Sequence, residues 1–403
     1  MPRLEQLLTI HSRRAPSKYT VRKLIAFKTG NSYKRCIRHL RLSGIRPFKR
    51  IPGSRLIGCL FDSRLSWEKL KQHPSVKLIE PDQKIRTHAI QPTRPATASA
   101  SGKSRPARTP RLKSASKHSA RRNTRASVLS DACPADVPWN LCAIEAHKAW
   151  ERSDGDSVKI AIIDTGISPH PSLRIAGGIN TVDGRSYADD NGHGTHVAGI
   201  AAATGARGCK GVAPKVKLYA VKALDYAGAG YVSDIIDGIE WCIRNKMSII
   251  NMSFGLERGD SSEALHNAIK KAVRKGIVVV ASAGNSGPNT FRLDEPAAFS
   301  ETIAVAATTR ENRIANFSNR GNGIAIAAPG EDVRSTWLNG NYLTVSGTSM
   351  ASPHVTGGAA LLLALKPGLS PSEIKALLKK QALTLDGFPS FAQGSGLLKL
   401  DFL

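Results

Sequence analysis

Residues 276–284 read GIVVVASAG, a nearly unbroken apolar run that ends in small and polar residues. The segment before it, SSEALHNAIKKAVRKG at 261–276, has the apolar spacing of a helix, with Ser261 or Ser262 as a possible cap and Gly276 at its end. A strand that is apolar on both faces is typical of a parallel sheet buried between helices. This stretch therefore predicts one helix–strand unit of an α/β fold.

Similar units recur through residues 131–403. The helical patterns HGTHVAGIAAA (193–203) and SDIIDGIEWCIRN (233–245) separate further β-rich runs. Those runs are VKIAIIDTG (158–166), VKLYAVKAL (216–224), SIINMSFG (248–255) and TIAVAAT (302–308). Their alternation predicts a mostly parallel, twisted sheet with helices on both faces. Ligands of such sheets bind at the carboxyl ends of the strands.

The 403 residues are enough for two or three domains, and differences in composition and apolar pattern divide them into three regions. Residues 1–88 predict the order β-α-β-β-α-β of a small α+β ferredoxin-like domain. Its strands are expected at 21–28, 45–51, 55–62 and 75–81, and its helices at 31–44 and 65–73. Residues 89–130 contain little to bury and predict a disordered basic linker. Residues 131–403 form the third region.

The net charge of +27 comes almost entirely from the front of the chain. Residues 131–403 hold 27 Lys and Arg against 26 Asp and Glu, whereas residues 1–130 hold 31 against 5. This distribution argues against nucleic-acid binding by the whole protein. The segment 89–130 is interpreted as a flexible linker, with weak, non-specific polyanion binding through its charge. A dedicated nucleic-acid arm is the alternative.

The six cysteines do not indicate structural zinc, because none forms a C-x-x-C pair. The sequence does not decide whether Cys133 and Cys142 form a disulfide. No run of about 18 apolar residues occurs, so no membrane span is predicted. The first residues, MPRLEQLLTIHSRRAP, lack the continuous apolar core of a secretory signal. The cytoplasm and a start site further upstream are therefore both considered.

Four polar residues stand where predicted strands end or helices begin: Asp164, His193, Asn285 and Ser349. We expect all four on one rim of the sheet. A serine hydroxyl needs a base to accept its proton, and that base needs a carboxylate to orient it. The negative oxygen of a tetrahedral intermediate needs fixed donors, such as an amide side chain and a backbone N–H at a helix N-terminus.

The motifs around these residues resemble those of the subtilisin family of serine peptidases. They read DTG (164–166), NGHGTHVAG (191–199), ASAGNSG (281–287) and SGTSMASPHV (346–355), in the family's order Asp, His, Ser. The resemblance implies a serine endopeptidase that is a monomer, needs no catalytic cofactor and forms an acyl-enzyme on polypeptide substrates. Asp164 would orient the base, His193 would act as base and then acid, Ser349 would attack, and Asn285 would hold the oxyanion.

The same residues are also compatible with other interpretations. His193 and His196 lie three residues apart and suggest a metal pair, but no third ligand stands at a suitable spacing. Ser346 and Thr348 are expected to be structural. A non-catalytic relative that only binds peptides is the second functional class, and the intact set of four residues argues against it.

The resemblance also implies a substrate cleft. An extended peptide would add as a strand between Gly228-Ala229-Gly230 and Ser253-Phe254-Gly255. The primary pocket would be walled by Ser253–Gly255 and by Ser282-Ala283-Gly284, with Asp294 at its floor. A carboxylate there favours Arg or Lys before the scissile bond. The alternative is that Asp294 faces solvent or pairs with Arg292.

The family's tight calcium site is predicted to be absent or weakened. Where the family has an aspartate in the first loop, HPSL (170–173) has Ser172. The second loop, TGARGCKG (204–211), carries Arg207 and Lys210, whereas calcium requires anionic or carbonyl oxygens.

Residues 20–88 resemble the inhibitor-type propeptide of the family. The resemblance implies a zymogen in which the tail of this domain occupies the active site until it is cut. The linker holds 10 Lys and Arg between Arg94 and Arg125, so self-cleavage within it is a hypothesis. An inhibitor propeptide favours secretion. An appended interaction module is the alternative.

Overall fold

A computed structural model describes residues 3–88, 91–92, 133–256 and 259–403, with the backbone alone at 91–92. The predicted linker at 89–130 therefore lies outside the described residues, apart from that short strand. No helix within these ranges is long and apolar enough to cross a bilayer.

The front part of the chain, residues 3–88 and 91–92, contains the predicted order β-α-β-β-α-β. One helix that was not predicted precedes the first of these strands. Its elements are α1 (Leu4–His11), β1 (Thr20–Phe27), α2 (Gly30–Leu42), β2 (Lys49–Ile51), β3 (Leu56–Asp62), α3 (Glu68–Lys71), β4 (Val76–Pro81), β5 (Lys84–Thr87) and β6 (Gln91–Pro92). Strands β1 to β4 form an antiparallel sheet in the order β2-β3-β1-β4.

Side chains alternate between the two faces of this small sheet, as the period of two in a strand requires. Ile25 and Ile57 pack with α1 and α2 in a core of their own. Leu24 and Leu56 point the other way and join the core of residues 133–403. The front part is thus an α+β layer whose second face is covered by the rest of the chain.

Residues 133–403 hold the remaining helices and strands. They are α4 (Trp139–Ala143), α5 (Ala146–Ala149), β7 (Lys159–Asp164), β8 (Ile175–Asn180), α6 (His193–Ala202), β9 (Lys217–Lys222), β10 (Ala229–Tyr231), α7 (Val232–Arg244), β11 (Ile249–Met252), β12 (Phe254–Leu256), α8 (Glu263–Arg274), β13 (Val278–Ser282), β14 (Ile303–Thr308), β15 (Ile324–Pro329), β16 (Val333–Thr336), β17 (Tyr342–Ser346), α9 (Thr348–Leu365), α10 (Pro371–Lys380) and α11 (Ser390–Gln393).

Seven strands of this part form one parallel sheet in the order β15-β14-β13-β11-β7-β9-β8. Helices α6 and α9 pack against each other, as do α7 and α8, and all four helices lie against the sheet or its strand ends. The predicted α/β fold with a parallel, helix-covered sheet is therefore confirmed. All residues of β11, β13, β14 and β15 are buried, which is why these strands read as apolar runs.

The cysteines divide into one bridge and four thiols. Cys133 and Cys142 form a disulfide, which the sequence had left open. Cys36, Cys59, Cys209 and Cys242 are free and buried. The disulfide links Cys133, the first described residue of the back part of the chain (residues 133–403), to helix α4.

Candidate active site

The carboxyl ends of three neighbouring strands bring the predicted residues to one rim. In the sheet, β7 lies next to β11 and β11 next to β13. Asp164 is the last residue of β7, Ser253 follows β11, and Asn285 stands three residues after β13. The chain order alone would not place these residues together, whereas the strand order does.

Asp164 and His193 form a buried pair. His193 Nδ1 donates to Asp164 Oδ1 at 2.8 Å, and both side chains are fully buried. The Thr165 amide also donates to Asp164 Oδ1, at 2.7 Å. A carboxylate in this position fixes the ring orientation and leaves Nε2 as the basic nitrogen. Among the described residues His193 Nε2 has no hydrogen-bond partner.

Asp189 positions the helix that begins at His193, a role that was not predicted from the sequence. Its Oδ1 accepts from the Asn191 and Gly192 amides, each at 2.9 Å, and its Oδ2 accepts from the Thr195 amide and hydroxyl. These bonds satisfy donors that a helix start leaves without partners. An Asp before His-Gly-Thr was the available sequence signal.

Glycine at 194 allows this helix to approach the end of β7. A Cβ atom there would lie 2.2 Å from the Gly166 carbonyl oxygen and 3.1 Å from Asp164 Cβ. The first distance is one that packed atoms do not tolerate, and the second is tighter than ordinary contact. The close approach of helix and strand is what brings His193 within reach of Asp164.

Ser349 is the second residue of α9 and is almost fully buried. Its hydroxyl donates to the Ser253 carbonyl oxygen at 3.0 Å and makes no hydrogen bond to His193. The backbone N–H of Ser349 belongs to the first turn of α9, where amide groups and the helix dipole favour negative charge. The serine therefore stands at the end of β11, between the ends of β7 and β13.

Asn285 is held in one orientation by Thr348. Its Oδ1 accepts from the Thr348 amide at 2.9 Å and from the Thr348 hydroxyl at 2.7 Å. Because Oδ1 is engaged there, the Nδ2 group is directed to the other side. A Cβ placed at Gly347 would be 3.0 Å from that Nδ2, so glycine leaves it room.

The other polar candidates make local contacts. Ser346 Oγ donates to Asp332 Oδ1 at 3.2 Å, and His196 Nε2 donates to the Leu343 carbonyl oxygen at 3.0 Å. Burial lowers the pKa of His196 to about 3, so its ring stays neutral. Within the described ranges no group of three His, Cys, Asp or Glu could hold a metal ion.

Strand β5 lies in the predicted cleft. It pairs antiparallel with β10, where Ala229 and Gly230 face Arg86 and Ile85, and with β12 on its other side. Phe254 and Gly255 of β12 are paired with Thr87 and Arg86, and the Thr87 amide donates to the Gly228 carbonyl oxygen at 2.9 Å. The residues predicted to bind an extended peptide thus flank a segment of the front part.

The predicted primary pocket holds His88, the residue that follows β5. His88 Nδ1 lies 3.0 Å from Ser282 Oγ, and Nε2 lies 3.0 Å from Asp294 Oδ2. The second contact is close enough for an ion pair but lacks the geometry of a hydrogen bond. Ala283 is buried behind them, and its carbonyl oxygen accepts from the Asp294 amide at 3.1 Å. Asp294 therefore faces the pocket.

The two loops that correspond to the family's tight calcium site, 170–173 and 204–211, are joined by a hydrogen bond. Ser172 Oγ donates to the Ala206 carbonyl oxygen at 2.8 Å and lies 2.8 Å from the Tyr342 hydroxyl. Lys210 Nζ stands 3.4 Å from the centre of the Trp150 ring. The Ala206 carbonyl oxygen thus accepts from Ser172, and an ammonium group lies in the same loop. These residues do not fit a calcium ion.

Comparison with known proteins places the back part of the chain among characterised sequences. A model described as the Subtilase family matches residues 155–396. Subtilisin Savinase of Lederbergia lenta is 43% identical over 268 residues, which are 66% of this chain and 97% of that protein. Subtilisin DY of Bacillus licheniformis is 44% identical over 271 residues, 66% of this chain and 97% of that protein.

A third relative is longer. Minor extracellular protease Epr of Bacillus subtilis strain 168 is 44% identical over 250 residues, which are 61% of this chain but only 38% of that protein. The region that the family model matches contains the four residues of the rim: Asp164, His193, Asn285 and Ser349.

Proposed function

This chain belongs to the subtilase family and is a serine endopeptidase, and we propose that it works through Asp164, His193 and Ser349 and is made as a self-processing zymogen. The observation that carries the proposal is the buried His193–Asp164 pair beside the Ser349 helix, with strand β5 lying across the same rim.

The geometry supports the following division of work. Asp164 accepts the Nδ1 proton of His193 and keeps Nε2 available as the base. For attack, the Ser349 hydroxyl turns from the Ser253 carbonyl towards His193 Nε2. The oxyanion then meets Asn285 Nδ2, whose orientation Thr348 fixes, and the backbone N–H of Ser349.

The zymogen proposal is supported by the way the front part docks. Glu80 accepts from the Ser262 hydroxyl at 2.5 Å and from the Ala264 amide at 3.2 Å, at the N-terminus of α8. Asp82 accepts from the Ser233 amide and hydroxyl, both at 2.9 Å, at the N-terminus of α7. Carboxylates are stabilised by the free amides and dipole of a helix start. Two helices of the back part thus hold the segment that leads into β5.

A third contact anchors the opposite side of the front part. Lys49 Nζ lies 2.6 Å from Asp234 Oδ1 and 2.5 Å from the Thr181 carbonyl oxygen. Burial raises the pKa of Asp234 to about 6, and the neighbouring Lys49 opposes that rise. With strand β5 in the cleft, these contacts make the front part an inhibitor of its own catalytic part.

The peptidase assignment is tested with casein as substrate. Casein hydrolysis by the processed protein is expected to stop after treatment with a sulfonyl fluoride, because the activated serine displaces fluoride from the reagent and is blocked as a sulfonate ester. A chelator is expected to leave the rate within a few tens of per cent of its starting value. Inhibition by the chelator alone would revive the metal mechanism, and absence of hydrolysis would favour the peptide-binding relative.

We also propose that the catalytic part lacks the tight calcium site of the family. The melting temperature is expected to change by less than about 2 °C between excess EDTA and millimolar calcium. Loss of a resident ion present at 1,000 times its Kd would remove about 4 kcal/mol, or roughly 10 °C at this size. The measurement is a thermal melt of the Ser349→Ala chain, which avoids self-digestion. A drop of that size in EDTA would contradict the proposal.

A further inference from the structure

Two described segments of the front part, β5 with His88 and the backbone of β6, lie on either side of the candidate active site. Strand β5 ends at Thr87, which is paired with Phe254, so one further step of that register sets His88 opposite Ser253. The Ser253 carbonyl oxygen is the acceptor of the Ser349 hydroxyl. Beyond His88, the backbone of β6 pairs antiparallel with Val345 and Ser346, on the strand that leads into α9. Ser349 thus lies beside the point that separates the two paired segments.

The pocket around His88 is narrow and polar. A Cβ at Gly255 would lie 2.8 Å from both His88 Nε2 and Asp294 Cβ, and a Cβ at Gly284 would lie 2.3 Å from Asp294 Oδ2. Glycine at both positions therefore leaves just the space that the imidazole and the carboxylate occupy. Asn319 Nδ2 donates to Asp294 Oδ1 at 3.3 Å and turns Oδ2 towards the ring.

The chemistry of the pocket matches a histidine. A carboxylate can only accept, so it faces the Nε2–H of the ring, while the Ser282 hydroxyl can donate to Nδ1 or accept from it. An apolar side chain would make neither contact, and among the described residues it would leave the Asp294 carboxylate bonded to the Asn319 amide alone, which discriminates against it. Lysine or arginine could meet the carboxylate, but their nitrogens only donate, whereas the ring can donate to the Ser282 hydroxyl or accept from it.

We propose that the bond on the carboxyl side of His88 is the one this enzyme cuts in its own chain, and that its primary pocket prefers histidine in substrates. The proposal rests on the peptidase function proposed above. It places the first cut before the basic segment, which then stays on the catalytic part, and it makes cuts after Lys or Arg at 94–125 later events.

The step is an ordinary acyl transfer. Ser349 Oγ bonds to the His88 carbonyl carbon while its proton passes to His193 Nε2. The C–N bond to Ala89 breaks, and the same proton goes to the departing amide nitrogen of Ala89. Water then attacks the ester through His193, returns the hydrogen to Ser349 Oγ and leaves a carboxylate on His88.

Two measurements test the proposal without a variant. The first maps the earliest new N-terminus of the wild-type chain by mass spectrometry, and it is expected to be Ala89. The second compares fluorogenic peptides that carry the chain's own residues 85–87, Ile-Arg-Thr, followed by His, Lys, Arg, Phe or Leu. We expect kcat/KM for His to exceed that for Phe or Leu by about tenfold or more.

The Asp294→Asn variant then assigns the preference, because it removes the charge and keeps the volume. The ratio of His to Phe cleavage is expected to fall at least severalfold. A preference for Phe or Leu with a first N-terminus elsewhere would overturn the inference and leave the peptidase function standing. No cleavage of any peptide or of the chain itself would overturn the proposed function and this inference with it.

Discussion

Replacement of Ser349 by alanine is expected to lower kcat by roughly a million-fold, a magnitude that comes from subtilisin itself rather than from this chain. The variant is expected to keep the fold, because within the part of the chain that the structure describes the hydroxyl makes one hydrogen bond, to the Ser253 carbonyl oxygen. It loses the only atom that can bond to the substrate carbonyl carbon. The freshly made variant is therefore expected to remain a single uncut chain on a denaturing gel.

The matched control is Ser300→Ala, at an exposed serine whose hydroxyl, among the described residues, hydrogen-bonds to its neighbour Glu301. This variant is expected to process itself and to hydrolyse casein at the wild-type rate. If the Ser349→Ala chain were cut at the same bond and at the same rate as wild type in a preparation free of other proteases, Ser349 would not be the nucleophile.

Replacement of Asp164 by asparagine is expected to lower kcat about ten-thousand-fold. An amide can present its NH₂ group to His193 Nδ1, which places the ring proton on Nε2 and removes the base. His193 Nδ1 and the Thr165 amide share Asp164 Oδ1, so an NH₂ group at that position also gives up the Thr165 bond, and a modest fall in melting temperature is expected beside the loss of kcat. The measurement is kcat/KM across pH, with a thermal melt of the same sample.

Asp154→Asn serves as the control for loss of a carboxylate. Asp154 forms a partly exposed ion pair with Lys215 and precedes the start of β7, whereas Asp164 ends that strand. Its kcat is expected to stay within twofold of wild type. An Asp164→Asn variant that retained more than a tenth of wild-type activity would show that His193 does not depend on this carboxylate.

The large sheet could be predicted because each central strand is buried on both faces. β7, β11, β13 and β14 read as apolar runs, and the strand ends then pointed to Asp164 and Asn285. β15 has the same apolar pattern but was not among the predicted strands. β8 carries two adjacent glycines and partly exposed residues, so its pattern is weak.

The occupant of the cleft could not be predicted in the same way. β5 has the composition KIRT, which favours no element, and it is a strand only because β10 and β12 pair with it. The role of His88 likewise depends on its contacts with Ser282 and Asp294, which are distant in the sequence. Asp294 was predicted at the pocket floor, but the residue that faces it was not.

The prediction about calcium rests on the chemistry of single positions, before any contact is known. Ser172 stands where the family has an aspartate, and Arg207 and Lys210 place positive charge in the second loop, whereas a hard cation requires anionic or carbonyl oxygens. The hydrogen bond from Ser172 to Ala206 could not be foreseen, since it depends on how the loop at 204–211 folds back on the first loop. The sequence thus indicates the chemistry at a position, whereas the geometry between positions requires the fold.

The central claim is that His193 activates Ser349, and a fluorophosphonate tests it most directly. Peptide mapping of the treated, processed enzyme is expected to find one adduct, on Ser349, and the His193→Ala chain is expected to label at least about a hundredfold more slowly. Labelling of another serine, or labelling of Ser349 at an equal rate without His193, would contradict the account.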